Sequence, residues 1–225
     1  MTTTQPPLEV YQGQFSEFTI TESDRLGVKV YRTGLMVAAL SLAIGSFLVL
    51  WQGRSPDVWT LLTPLFALFS LGLAISLATI HIYLVSLHRL LQLFWLIGTV
   101  SAAILAQQNS EPLALFVYRS PLTLLGIGFT FAALTGIYFK EAFCFNRLET
   151  KLLTPLVPFL LLGHLGGILP LALEQTLLAL WALLFTIFAI RKVMQPIAPD
   201  IGDKSVFEYL KQQRRSSSAS AQPNA

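Results

Sequence analysis

The residues able to do chemistry here are one cysteine, three histidines and a few carboxylates near them. Cys144 lies in EAFCFNRLETK, residues 141–151, beside Lys140 and Arg147. Neighbouring cations favour a thiolate, the form of cysteine that acts as a nucleophile. A catalytic cysteine also needs a base, and no histidine is close to it in sequence, so catalysis at Cys144 is disfavoured. His81 and His88 are seven residues apart and share one face of a continuous helix. His164 interrupts LLLGHLGG, and Glu174 follows it ten residues later. A polar side chain among leucines must find a partner. For His164 that partner is Glu174 or a hydroxyl on a neighbouring helix. The pair His164 and Glu174 is therefore the candidate intramembrane polar site. A substrate or proton site is the sharper alternative there. A haem or chlorophyll ligand is a weaker one, and no cofactor is the first expectation.

Other reactions lack their groups. The sequence holds no HExxH, no phosphate-binding glycine loop, no GxGxxG and no GxSG serine element. A single cysteine forms no disulfide within the chain, and no CxxC or Cys/His cluster points to a metal. No Asp, Glu, Lys or Arg lies mid-way along the apolar runs, so a paired intramembrane carboxylate site is absent. Enzyme activity is disfavoured without being closed off.

These residues must be positioned by elements suited to lipid. Of 225 residues, 54% are hydrophobic and only 12% charged, with a mean hydropathy of +0.63. A soluble domain of this size needs a more charged surface. The apolar residues fall into six runs: Gly34 to Trp51, Leu62 to Tyr83, Leu91 to Ala106, Pro121 to Phe139, Leu152 to Leu169 and Leu171 to Ile190. Each approaches the length that about 30 Å of hydrocarbon needs at about 1.5 Å per residue. The third run is short and is extended by LHRLLQ before it. Gly166, Gly167 and Pro170 divide the last two as a tight hairpin, with five spans as the alternative count. The fold expected is an all-α polytopic membrane bundle of about six transmembrane helices. No cleavable signal pattern precedes the first run, which is expected to stay in the membrane.

Of the 15 Lys and Arg residues, all but Arg54 and Arg119 fall on one side of this arrangement. The positive-inside rule then places both termini and the 141–151 segment in the cytoplasm. The basic residues are dispersed between apolar runs, so nucleic acid is rejected as a partner. At the boundaries, Thr21 with Asp24 reads as a helix cap, Thr63-Pro64 as the start of the second span, and Asn146 with Glu149 as a capping box. The chain divides into a polar N-terminal segment (1–20), a six-span membrane domain (21–195), a cytoplasmic tail with room for a short interfacial helix in VFEYLKQQRR (196–212), and a disordered tail (213–225). EVYQGQFSEFTI alternates only in part, and no strand is assigned to it.

The 141–151 segment reads first as the polar turn between two spans. Its alternative is a partner-docking loop of Glu141, Phe143, Phe145, Arg147 and Glu149. FKEAFCFNRLETKLLTPL, residues 139–156, followed by a proline- and glycine-rich span, resembles a family of uncharacterised integral membrane proteins known mainly from cyanobacteria, with relatives in photosynthetic plastids. The resemblance covers roughly residues 20–195 and is most specific around Glu141, Phe143, Phe145 and Glu149. It implies a multi-span protein of a photosynthetic prokaryote. It implies no activity and carries over no catalytic residue.

Small residues four apart let helices approach closely. Gly128, Ala132 and Gly136 form one such strip, and Gly163 with Gly167 another. LLTPLFALFSLG (61–72) resembles LLTPLVPFLLLG (152–163), and VYRTGL (30–35) resembles VYRSPL (117–122). Three spans separate each pair, so a true repeat would be inverted, as in many transporters. Two functions remain. The first is a non-catalytic membrane protein that binds, or helps assemble or maintain, another membrane protein or complex. The alternative is a small transporter or channel for a neutral or weakly charged solute. The setting is a lipid bilayer, plasma or thylakoid.

Overall fold

Thr21 opens the first helix. Its backbone N–H and hydroxyl both donate to the Asp24 carboxylate (2.8 and 2.7 Å), and the Asp24 N–H returns to the Thr21 hydroxyl at 3.2 Å. This reciprocal cap satisfies donors that a helix start leaves open, as the sequence led us to expect. In the computed structural model, which describes residues 9–53 and 55–220, the chain forms two compact units. One unit contains residues up to Lys29 together with those from Pro196 onward, and the other is Val30–Gln195.

The first unit joins the two ends of the chain. Strands β1 (Val10–Gln12) and β2 (Glu17–Thr19) pair antiparallel, with Tyr11 opposite Phe18. The stretch left unassigned from sequence is thus a hairpin, too short for its alternation to register. Two helices follow Pro196: α8 (Ala198–Ile201) and α9 (Lys204–Ser220). Ile20, Val28 and Ile201 form a small core under Tyr11 and Phe18. Asp203 caps α9 through the Ser205 N–H (2.9 Å) and also accepts from the Gln14 N–H (2.6 Å). Phe15 stacks on Tyr209 with ring centroids 3.9 Å apart. Residues 196–212 are therefore half of a folded unit rather than a separate tail. The segment assigned to disorder is helical as far as Ser220, and residues 221–225 lie outside the described part.

The second unit is the membrane bundle. Helix α1 spans Glu22–Gln52, with its Val30–Gln52 portion in this unit. It is followed by α2 (Pro56–Thr79), α3 (Val85–Gln108), a short α4 (Leu113–Arg119), α5 (Leu124–Phe145, preceded by one 3₁₀ turn), α6 (Leu148–Leu165) and α7 (Leu171–Met194). Six of these, all but α4, are long and apolar enough to cross a membrane. Leu35, Leu73, Leu134, Tyr138, Trp181, Phe185 and Phe188 form the core, while leucines such as Leu40, Leu71, Leu93 and Leu183 point outward. An apolar exterior is what lipid as solvent requires.

Several boundaries differ from the sequence reading. Helix α2 starts at Pro56 behind Ser55, so Thr63-Pro64 is not its start and Pro64 lies inside the helix. It ends at Thr79, leaving His81 in the turn before α3, so His81 and His88 share no helix. Asn146, at φ 52°, closes α5 in the left-handed conformation instead of capping α6. Asn tolerates that region better than most residues. VYRTGL lies inside α1, whereas VYRSPL runs from α4 through a break into the 3₁₀ turn. The first pair of repeat-like stretches thus adopts different backbone structures.

Helices α1 and α2 cross in backbone contact. A Cβ at Gly34 would lie 2.6 Å from the Gly72 carbonyl oxygen, and one at Gly72 would lie 2.6 Å from the Gly34 carbonyl oxygen. The Ser76 hydroxyl donates to the Tyr31 carbonyl at 3.0 Å beside this crossing. Gly34 with Ala38 and Gly72 with Ser76 are the small-residue pairs that matter here. The strip named from sequence divides. Gly136 packs on Leu91, Gly128 has no neighbour within 4 Å, and Ala132 is exposed. Gly128 and Ala132 instead line an outward groove of about 340 Å³ between α5 and α6. Gly163 packs against Leu169 of its own hairpin, and Gly167 serves the turn.

Candidate functional site

Helix α6 ends in a Schellman turn, and that turn sets up the site. The Gly167 N–H reaches the His164 carbonyl (3.0 Å), and the Ile168 N–H reaches the Gly163 carbonyl (3.1 Å). Gly167 adopts φ 62°, a conformation costly for any residue with a Cβ. The chain reverses and α7 begins after Pro170, whose fixed φ suits a helix start. Glu174, in the first turn of α7, thereby comes back to His164 in the last turn of α6.

His164 Nδ1 is 2.7 Å from Glu174 Oε1. Nε2 is 3.2 Å from the carbonyl oxygen of Tyr118, and the Tyr118 ring stacks on the imidazole with centroids 5.0 Å apart. A carbonyl oxygen only accepts, so Nε2 carries a proton and donates to it. On the other side, either Nδ1–H donates to an ionised Glu174 or a protonated Glu174 donates to Nδ1. In both arrangements one proton lies between Nδ1 and Oε1, and the pair is neutral as a whole. The sequence named both residues of this pair. It did not name Tyr118, which α4 supplies from a segment too short to stand out as a span.

The pair closes one end of a cavity of about 340 Å³ bounded by α1, α2, α4, α5, α6 and α7. Its walls are apolar, including Leu62, Phe66, Val117, Phe131 and Leu178. The polar groups gather at one end: His164, Glu174, Gln175, Trp59 and Tyr118. A second chamber of about 210 Å³, reaching Ser41, Gly45 and Ser46 on α1, shares Val49, Leu62, Phe66, Ala114, Phe131 and Leu178 with the first. Both nitrogens of His164 are engaged, so a tetrapyrrole metal would have to displace Tyr118 or Glu174. Among the described residues, no three His, Cys, Asp or Glu side chains are grouped to hold a metal ion.

The other histidines lie elsewhere. His88 Nε2 is 2.6 Å from the Leu77 carbonyl, near the end of α2 opposite Trp59. Gln92 donates to the same oxygen at 3.2 Å. Together they cover a carbonyl that the helix end leaves open. His81 and His88 are not brought to His164.

The 141–151 segment is mostly helix, with only Asn146 and Arg147 between α5 and α6. Glu141 is fully buried. It accepts from Lys192 (2.6 Å), from Lys140 (2.8 Å) and from the Tyr31 hydroxyl (3.1 Å). Lys192 is itself fully buried, with its ammonium 3.9 Å from the centre of the Phe145 ring. Glu149, also buried, accepts from Arg191 at 2.8 Å and lies 3.9 Å from Arg147. Of the five residues named for docking, Glu141 and Glu149 thus face inward, and Phe145 and Arg147 serve the same cluster. Phe143, 84% exposed, faces outward. Cys144 is a free, exposed thiol. The sequence reading treated Lys192 as a topology marker. Its signal was the spacing of Phe185, Phe188, Ala189 and Lys192, one buried helical stripe.

Six apolar crossings, five of which line the cavity, define a multi-pass integral membrane protein. Residues 75–209, more than half of the chain, match the family described as "Uncharacterized integral membrane protein (DUF2301)", and the chain belongs to that family. The matched stretch includes Tyr118, Glu141, His164, Glu174 and Lys192. Comparisons with curated proteins and with solved structures return no match.

Proposed function

We propose that this protein is a non-catalytic membrane protein that binds a membrane-soluble component in the cavity that ends at His164. The observation that carries this reading is the cavity's composition: apolar walls, with polar groups gathered at one end. Ligand pockets combine an apolar lining with a few polar groups that fix orientation, and about 300–1,000 Å³ is their usual size. A hydrophilic solute would lose its hydration against these walls without replacement. Transport is the weaker reading for a second reason. Ile137, Tyr138, Phe185 and Phe188 are fully buried, and the Trp181 indole donates to the Tyr138 hydroxyl at 3.2 Å. This packed layer fills the bundle between the cavity and the Glu141–Lys192 pair. Resemblance of residues 139–156 to cyanobacterial and plastid proteins makes a photosynthetic membrane the proposed setting.

The test is extraction. Protein purified in mild detergent is expected to carry a stoichiometric lipid-soluble molecule, detected by mass spectrometry of the organic extract. Ala114→Phe, which fills the junction of the two chambers, should purify without it. Flux of small neutral solutes into proteoliposomes, with nothing bound in the extract, would favour the transporter instead.

A further inference from the structure

We propose that the cavity takes a neutral ring-bearing lipid of the quinone class: a flat ring carrying oxygen atoms, attached to an apolar tail. The inference rests on the cavity being a ligand site and adds the chemistry of its occupant.

Charge selects the head group first. Among the described residues the lining contains no lysine or arginine, and its one carboxylate, Glu174, is already matched to His164. A phosphate or carboxylate head would meet Glu174 with no counter-cation, and an amine would have to displace His164. A charged group brought into such surroundings is strongly disfavoured unless paired. The head is therefore uncharged.

Ring faces at the polar end select its shape. Tyr118 stacks on His164 on one side and lies 6.2 Å from the Trp59 ring on the other. Phe66 and Phe131, 6.2 Å apart, continue the aromatic lining inward. Flat rings pack well against such faces in offset or edge-on geometry.

Open hydrogen-bonding groups select for oxygen. The half-buried Trp59 indole N–H and the exposed Gln175 amide have no hydrogen-bond partner among the described residues and stand on the lining as donors. In the second chamber, the Ser46 hydroxyl is buried and also unpartnered. Ser46 is only 5% exposed, so bulk water does not satisfy it. A buried polar group without a partner calls for an explanation, and an occupant or a water reaching the second chamber supplies it. Carbonyl or hydroxyl oxygens on a ring at the polar end accept from the indole and amide donors. The tail follows from continuity, because the two chambers share six lining residues and the second is walled by Leu42, Leu65 and Phe69.

The experiment uses the full chain in lipid nanodiscs and decyl-benzoquinone, a strong quencher of tryptophan fluorescence. Decylbenzene, with the same ring and tail but no oxygen, serves as competitor. The expected result is a quenching component that saturates near one quinone per chain and is much reduced in Trp59→Phe, with Trp181 behind Phe131 supplying the remainder. His164→Leu removes the anchor that orients Tyr118 and should weaken binding about fivefold, the scale of one lost hydrogen bond. Decylbenzene should compete at least about fivefold more weakly than a non-quenching quinol of equal tail length. Quenching that stays linear with quinone and is equal in all variants overturns the proposal. So does equal competition by decylbenzene. If Ala114→Phe abolishes a co-purifying lipid while no saturable quinone binding is seen, the ring-head inference falls and the cavity remains a ligand site. Loss of both results removes the broader reading as well.

Discussion

Lys192 and Glu141 carry the largest electrostatic commitment of any residues in the bundle. Neither has access to solvent, and their charged groups face each other at 2.6 Å. Their dependence is unequal. Glu141 retains Lys140 and the Tyr31 hydroxyl if Lys192 is lost, whereas Lys192 loses the carboxylate held 2.6 Å from it if Glu141 is lost. Glu141→Leu should therefore cost about 3–5 kcal/mol, the usual penalty for stranding a buried charge. Lys192→Met should cost less, about 1–3 kcal/mol. The double substitution should recover much of the Glu141→Leu loss, because both charges leave together. Melting temperatures in detergent read all three, and a double mutant less stable than Glu141→Leu alone would refute the coupling. At this scale the sequence was half legible. A lone His164 among leucines announced its need for a partner, and Glu174 was the nearest candidate across the turn. Glu141 and Lys192 sit near helix ends, where charges ordinarily mark the membrane surface, and only their place on buried stripes tells otherwise.

Elements meet in this protein through backbone contact as much as through side chains. At the α1–α2 crossing, an added methyl at Gly34 or Gly72 would overlap the opposite carbonyl oxygen, which cannot rotate away. Gly34→Ala and Gly72→Ala should each destabilise by about 1–3 kcal/mol, as overpacking does. Gly128→Ala has open space, so it should be neutral or gain up to about 1 kcal/mol from helix propensity. Thermal melts of the three variants in one detergent decide this, and a Gly128→Ala loss as large as the others would disprove it. Spacing alone singled out Gly128, Ala132 and Gly136 as one strip, whereas the same spacing in Gly34 and Ala38 carries the close contact. The rotation of each helix about its axis, which packing sets, separates them.

In the terminal unit, the Ser205 hydroxyl, with the backbone N–H groups of Gln14, Ser205 and Val206, holds the Asp203 carboxyl below the usual range. Hydrogen bonds to the charged form have this effect, and desolvation opposes it without reversing it. A lowered folded value means that the contribution to stability is complete above the ordinary Asp value of about 3.9 and is lost as pH falls through the folded value. Protection of the Gln14 amide, taken relative to its intrinsic exchange rate at each pH, should hold on acidification to about pH 4 and fall below it. Asp203→Asn should show faster Gln14 exchange already at neutral pH. Equal protection in the variant and the parent would remove Asp203 as the clasp between hairpin and helix. None of this was legible from the sequence, because three-residue strands fall below the length at which alternation can be read.

For the whole molecule, span number and charge distribution agree through independent routes. The membrane unit enters and leaves at one end: Arg32, near its start, donates to the Gln195 carbonyl at 2.6 Å, near its finish. An even number of crossings requires this. Lys140, Arg147, Lys151, Arg191 and Lys192 belong to that same end, and positive-inside counts lysine and arginine whether or not a carboxylate offsets them. The pairs with Glu141 and Glu149 therefore stabilise the fold without cancelling the topology signal. Six spans were legible because the length and apolarity of each run are set by the bilayer and need no knowledge of packing. The cavity was not, because it arises from α4, a seven-residue helix that reads from sequence as a connection. The single cysteine offers a direct test of orientation, since Cys144 is exposed and lies at the basic end. A membrane-impermeant maleimide should leave Cys144 unlabelled in intact cells and label it in inverted vesicles, with detergent-solubilised protein giving the maximum. In a Cys144→Ser background, cysteine placed at the exposed Gln108 should give the opposite pattern. Labelling of both positions from one side would break the even-crossing arrangement. A clean exchange of the two patterns would keep the fold and reverse its orientation, placing the polar end of the cavity on the cytoplasmic side.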